Sequence, residues 1–167
     1  AQIIADEGNS VFLGLYWNVQ ELTTDEASWT WQNDAGVRGL HEMSWSSINP
    51  IISGLYYRSF FQITLANDFI RQASDENLSD RGITGASADS IRTYKAEARF
   101  LRAYQYWILM DLYANPPFIT ENEGIGTVIP QQIQRADLFA YIETELKAIE
   151  AELVAPKANE YGRADQA

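Results

Sequence analysis

Apolar residues recur at helical spacing through most of this chain, and that periodicity limits the fold more than any other feature of the sequence. From about Ser47 to Ser74 the steps are three and four residues, or twice that, which places one apolar stripe on a helix. The stripe consists of Ile48, Ile52, Leu55, Ile63, Ala66, Ile70 and Ala73. Pro50 suits the first turn, where its missing N–H is harmless, and Ser47 or Asn49 can cap it. Gly54 weakens the middle of this helix and can permit close packing.

Two further helices are predicted downstream. The first runs from about Asp89 to Ala114, with Ser87 or Asp89 as the cap, and ends because prolines follow at positions 116 and 117. Its apolar surface is broad enough to predict packing on more than one side. The second runs from about Asp137 to Leu153, with Asp137 as a plausible cap.

The remaining segments complete an all-α prediction. Residues 12–19 fit a helix face less clearly, and the polar segments 23–39, 75–88 and 121–134 are expected to be loops. No sustained alternation of apolar and polar residues predicts a strand. Long helices joined by short connections form αα-hairpins, which stack in tetratricopeptide-type repeats, although no internal repeat is clear here.

Composition excludes several classes of function. The 167 residues correspond to about one domain, and 23 acidic against 12 basic residues give a net charge of −11, which repels nucleic acid. Without cysteine and with His41 as the single histidine, the chain can build neither a thiolate site nor a multi-histidine metal site. No apolar run approaches the roughly 18–20 residues of a membrane span. We therefore expect no metal and no cofactor.

Three polar groups have plain structural interpretations. Asp25 and Glu26 are adjacent carboxylates, and neighbours in sequence rarely face each other across a cleft as glycosidase carboxylates do, so a cap by Thr24 or Asp25 is favoured. On the long helix, Arg102 is expected to pair with a carboxylate of a packed neighbour, and Glu97 with a basic group. His41 has no partner in the sequence that would argue for catalysis, and is interpreted as a polar group near a surface turn.

Trp29 and Trp31 are the most informative candidate pair. They lie in a polar segment with no continuing helical stripe, and on extended backbone a spacing of two places both rings on the same side. An indole in such a loop can stack on the apolar face of a sugar, with neighbouring Asn, Asp and Gln binding the hydroxyls. The alternative is that one or both rings plug the loop onto the helical core.

Several segments together resemble one known family. The helix over 94–107 reads YKAEARFLRAYQYW and continues at 112–118 as LYANPPF, which closely resembles the signature helix of the SusD/RagB family. The segments 65–70, 135–143 and 161–167, which read LANDFI, RADLFAYIE and YGRADQA, agree with it in order. The segments 21–26 and 29–32, ELTTDE and WTWQ, are especially similar to the starch-binding founding member.

The resemblance implies a fold and a function. It implies tetratricopeptide-like helical hairpins forming an α-α superhelix with long loops, and a non-catalytic lipoprotein that binds oligosaccharide at the cell surface of the outer membrane. A starch-like glucan is favoured, imported through a SusC-like TonB-dependent transporter that the protein covers as a lid. Residues 1–167 are expected to be the N-terminal portion of a SusD-like domain, trimmed at both ends, whose lipid anchor is absent from this chain. The alternative is a tetratricopeptide-type adaptor that binds protein and no glycan.

The resemblance also assigns sugar-binding residues of the family to positions of this sequence, one position at a time. The tryptophan that stacks on the glucan in the starch-binding member falls on Trp29. An asparagine that binds sugar falls on Asp34, with Asn33 adjacent, and an aspartate of the family's Asp-Glu-Gly motif falls on Asp6. The family's arginine contact falls on Gly14, so that contact is absent.

Overall fold

Six α-helices provide the regular structure in the part of the chain that the computed structural model describes, residues 11–31, 33, 34, 36–124, 126 and 128–166. They are α1 (Phe12–Glu21), α2 (Val37–His41), α3 (Pro50–Gln72), α4 (Asp75–Asp80), α5 (Gly85–Tyr113) and α6 (Arg135–Ile149), the last followed by a 3₁₀ turn at Glu150–Glu152. The described residues form no strand beyond an isolated bridge between Pro117 and Gln132. The all-α prediction is confirmed.

The three long helices form where the apolar stripes predict them. α3 begins at Pro50, and Asn49 is its cap, because its Oδ1 accepts the N–H of Ile51 at 3.0 Å. α5 ends at Tyr113, just before the two prolines. None of the described helices has the length and apolar character needed to cross a bilayer.

Three predictions about helix ends and loops are wrong. α2 and α4 lie in segments predicted to be loops, since helices this short carry no readable apolar period. Ser74 starts α4 by accepting the N–H of Asn77 at 3.2 Å. α5 begins earlier than predicted, at Gly85, so that Ser87 and Asp89 lie inside it.

The start of α6 also differs from the prediction. The helix begins at Arg135, and Asp137 lies in its first turn rather than at the cap. The N–H of Arg135 is instead satisfied by Oδ1 of Asn115, at 2.9 Å. A residue distant in sequence performs the capping, which local sequence cannot reveal.

The chain divides into two compact units, Ala1–Arg58 and Ser59–Ala167. In the first unit, α1, α2 and the beginning of α3 supply the buried apolar residues Leu15, Leu22, Val37, Leu40, Ile51 and Leu55. Gly54 on α3 faces Leu15, but a Cβ at Gly54 would lie 3.5 Å from the Leu15 side chain, an ordinary contact. Close packing therefore does not require glycine there.

In the second unit, α5 and α6 form an antiparallel hairpin. The start of α6 meets the residue after α5 through the Asn115–Arg135 hydrogen bond, while Ile149 and Leu153 pack on Ala96 at the other end. The two helices pack in an antiparallel pair, although residues 114–134 between them are longer than the short connection that an αα-hairpin was predicted to have.

A buried ion cluster centred on Arg102 joins the elements of the second unit. Arg102 is only 2% exposed, and its guanidinium donates to Asn67 of α3 at 2.8 Å, to Glu145 of α6 and to Glu121 of the 114–134 loop. Arg99 also binds Glu145, and Glu97 pairs with Arg163, so the prediction of structural ion pairs is confirmed. Burial of Glu145 favours its neutral form, but hydrogen bonds from the two arginines outweigh burial and hold the pKa of this carboxyl below its ordinary value.

The 114–134 loop is fixed to the helices by polar side chains. The hydroxyl of Tyr106 donates to the carbonyl of Ile119 at 2.7 Å and accepts its N–H at 2.9 Å. Burial raises the pKa of Tyr106 to about 12, so this phenol keeps its proton at neutral pH. Arg71 donates to the carbonyls of Glu121 and Glu123, both at 3.0 Å.

Two glycines of the first unit are expected to respond oppositely to alanine. Gly54→Ala should stabilise the protein by about 0.5–1 kcal/mol, because alanine is the better helix former and its methyl group fits. Gly36→Ala should destabilise it, because Gly36 has φ +87° and a Cβ there would lie 2.7 Å from Oδ1 of Asn49. Gly82→Ala is the control for strain alone, since it has φ +66° with nothing within 4 Å. Urea unfolding of the variants measures each change, and a Gly36→Ala loss no larger than that of Gly82→Ala would contradict the clash.

The Arg102 cluster is expected to dominate the electrostatic contribution to stability. Arg102→Ala should lower the free energy of unfolding by about 3–5 kcal/mol, because it removes the buried guanidinium from Asn67, Glu121 and Glu145 and leaves Glu145 with Arg99 as its remaining cation. Arg92→Ala is the matched control on the same helix, since Arg92 makes two ion pairs, with Asp75 and Asp89, that are solvent-exposed. We expect that variant to unfold at nearly the wild-type urea concentration. Equal losses for the two variants would refute a special role for burial.

Candidate functional site

Three tryptophan rings lie together in the first unit. Trp29 and Trp31 come from the loop between α1 and α2, and Trp17 comes from α1. The ring centroid of Trp29 is 6.2 Å from that of Trp17 and 5.9 Å from that of Trp31, with interplanar angles of 52° and 61°. The contact between Trp29 and Trp31 confirms that the spacing of two brings both rings to one side. We call Trp17, Trp29 and Trp31 the tryptophan cluster.

Exposure differs among the three rings. Trp31 is 66% exposed and Trp17 is 44% exposed, whereas Trp29 between them is half-buried. Such contiguous exposed aromatic area on a protein of net charge −11 is typical of a ligand surface rather than of a core. The alternative of a loop plug holds at most for part of Trp29.

Both N–H groups of Trp29 donate to neighbouring side chains. Its indole Nε1 donates to Oδ2 of Asp34 at 2.9 Å, and its main-chain N donates to Nε2 of His41 at 3.2 Å. The central ring of the cluster is therefore held at its main chain and at the far end of its side chain.

Turns on either side shape the loop. Thr24 forms the first, donating to the carbonyl of Glu21 at 2.7 Å and accepting the N–H of Glu26 at 3.1 Å, which confirms the cap predicted there. Asp34 forms the second, with its N–H bonded to the carbonyl of Trp31 at 3.0 Å. Gly36 directly precedes α2, and Nδ2 of Asn49 donates to the carbonyl of Gly36 at 3.0 Å. The loop is thus tied to the beginning of α3.

The residues predicted for the site fall into three groups. Trp29 and Asp34 are joined directly by the indole hydrogen bond. Asn33 is exposed in the turn that contains Asp34. Asp6 lies outside the described residues. The structure therefore brings Trp29, Asn33 and Asp34 into one loop, and their binding of a ligand stays a prediction.

Two members of the arrangement were missed by sequence reasoning. Trp17 is exposed on the side of α1 away from the buried Leu15, and a tryptophan outside the apolar stripe is the signal that could have identified it. His41 was interpreted as an unpartnered polar group. It is the last residue of α2, and its side chain accepts a hydrogen bond from the main-chain N–H of Trp29. No spacing rule reveals that contact, because it depends on how the loop folds back.

Other chemistry finds no support among the described residues. Asp25 and Glu26 are solvent-exposed in the loop. Within the described ranges, no group of three or more His, Asp or Glu side chains could hold a metal ion. The arrangement is suited to contact through ring faces and hydrogen bonds.

Comparison with known proteins gives the family. No family model matches the chain. Over 162 residues the chain is 36% identical to the starch-binding protein SusD of Bacteroides thetaiotaomicron, and the match covers 97% of this chain. The chain belongs to the SusD-like family. It spans 27% of the length of that relative.

Solved structures of SusD-like proteins have the same fold. A SusD superfamily protein of Bacteroides vulgatus matches 92% of this chain and 31% of its own with a TM-score of 0.65 at 17% identity. A SusD-like carbohydrate-binding protein of Bacteroides fragilis matches 94% of this chain and 35% of its own with a TM-score of 0.60 at 20% identity. A laminarin-binding SusD-like protein matches 93% and 36% with a TM-score of 0.63 at 21% identity. These matches confirm the predicted tetratricopeptide-like helical class.

Proposed function

We propose that this SusD-like chain contributes to a non-catalytic glycan-binding protein, with the tryptophan cluster as its contact surface. The observation that carries the proposal is the set of three adjoining indoles, Trp29 and Trp31 from a polar loop and Trp17 from α1, of which Trp17 and Trp31 are exposed. Sugar rings present apolar C–H faces that stack on aromatic rings, and their hydroxyls need fixed polar groups beside the stack. Asn33 and the second carboxylate oxygen of Asp34 are the proposed polar groups, together with Asp6.

A starch-like α-glucan is the favoured ligand. The relative at 36% identity is named for starch binding, whereas the laminarin-binding neighbour is similar at only 21% identity. We further propose that the protein acts at the outer membrane as a surface lipoprotein and delivers glycan to a SusC-like TonB-dependent transporter. Family membership supports this role.

Glycan titration tests the proposal. Calorimetry of the intact protein with maltoheptaose and with laminarin oligosaccharides should show binding, with maltoheptaose preferred. Trp29→Ala should weaken binding at least tenfold, about 1.4 kcal/mol, because aromatic anchors at the centre of an interface contribute most of the binding energy.

Trp107→Ala is the matched control. Trp107 is 41% exposed, similar to Trp17, but lies on α5 in the second unit and stacks on Tyr104. We expect its removal to leave the affinity unchanged. Equal affinities of wild type and Trp29→Ala would remove the cluster from the site. Absence of binding across a glycan array, with a transporter still copurifying, would instead favour the adaptor function.

A further inference from the structure

Trp29 has two N–H groups, and both already donate hydrogen bonds within the protein. Neither is available to donate to a ligand. The indole N–H is bonded to Asp34 and the main-chain N–H to His41. The side chain of a tryptophan in this state offers a ligand only its ring face and edge. Its contribution to binding therefore depends on where the ring is held, rather than on any hydrogen bond it could donate.

The two acceptors hold the residue at opposite ends. His41 fixes the main chain, and Asp34 fixes the far end of the indole. A tryptophan side chain has two rotatable torsions, which the indole hydrogen bond to Asp34 restricts, while the hydrogen bond to His41 fixes the main chain from which the side chain extends. Ordering one such side chain on binding costs about 0.5–1.5 kcal/mol, and a ring that is already ordered avoids that cost.

The anchors are themselves supported by the core of the first unit. His41 is the last residue of α2, whose Val37 and Leu40 are buried. Asp34 accepts the N–H of Val37 through its main-chain carbonyl, at 3.1 Å. The two acceptors thus lie at either end of one short helix whose Val37 and Leu40 are buried.

We propose that His41 and Asp34 are positioning residues, which preorganise the Trp29 ring between Trp17 and Trp31 for stacking on a ligand. The effect on affinity rests on the glycan-binding function proposed above. The effect on the indole does not, because the anchors operate in the unliganded protein.

The first test observes the anchors without ligand. In a ¹H–¹⁵N spectrum of the intact protein each tryptophan gives one indole N–H signal, and Trp29→Phe identifies the one from Trp29. Asp34→Ala should move that signal towards the position of a solvated indole, and Asp34→Asn should restore it, because the amide oxygen can also accept. An unchanged Trp29 signal in Asp34→Ala would overturn the proposal.

The second test measures maltoheptaose affinity. His41→Ala should weaken binding about three- to tenfold, corresponding to the ordering cost of one side chain. Asp34→Ala should weaken it by at least as much, because it also removes the carboxylate oxygen proposed to bind the glycan. His41→Gln should recover most of the loss, since its Oε1 can accept the same N–H. Equal weakening by His41→Gln and His41→Ala would count against the hydrogen bond, and far-UV circular dichroism identifies any variant that fails to fold.

A double-mutant comparison separates positioning from direct contact. In the Trp29→Ala background, adding His41→Ala should cause no further loss, because His41 acts through the ring that is gone. Adding Asp34→Ala should still weaken binding, because it also removes the carboxylate oxygen proposed to bind the glycan. A further loss on adding His41→Ala would overturn its positioning role. Failure of the wild-type protein to bind maltoheptaose or laminarin oligosaccharides would refute the proposed function, while the indole signal would still decide the anchors.

Discussion

The second unit depends on one buried guanidinium. Arg102 lies on the central helix α5 and reaches α3, α6 and the 114–134 loop through Asn67, Glu145 and Glu121. A charge at this depth is costly unless carboxylates and hydrogen bonds surround it, so these segments must assemble around it together. Apolar contacts such as those of Ala96 with Ile149 and Leu153 can be made in many ways, whereas the planar fork of arginine accepts few arrangements.

The long helices could be predicted from sequence because their apolar stripes repeat over several turns. α3 and the end of α5 follow directly from Pro50, Asn49 and the two prolines. The short helices could not, since α4 consists mainly of polar residues and relies on Ser74 to start it. The cap of α6 depends on Asn115, twenty positions away in sequence, and only the folded hairpin brings the two together.

The candidate site shows the same division between local and tertiary information. The spacing of Trp29 and Trp31 was sufficient to predict that their rings lie together, because the two residues are close in sequence. Trp17 is on α1 and His41 is on α2, whereas Trp29 is in the loop between these helices. The loop must fold back before Trp29 contacts either residue. Resemblance to a family identified Trp29 and Asp34, but gave no indication that the two bind each other.

The hydroxyl of Tyr106 makes two hydrogen bonds to the main chain of Ile119 in the 114–134 loop. A side-chain hydroxyl satisfies both the N–H and the carbonyl of Ile119, the role that a neighbouring strand performs in a sheet. The amide of Ile119 should consequently exchange with solvent deuterium at a rate set by the opening of α5, although it belongs to no helix. The protection of the Ile119 amide from exchange therefore depends on a side chain, and removing the hydroxyl oxygen of Tyr106 would abolish it.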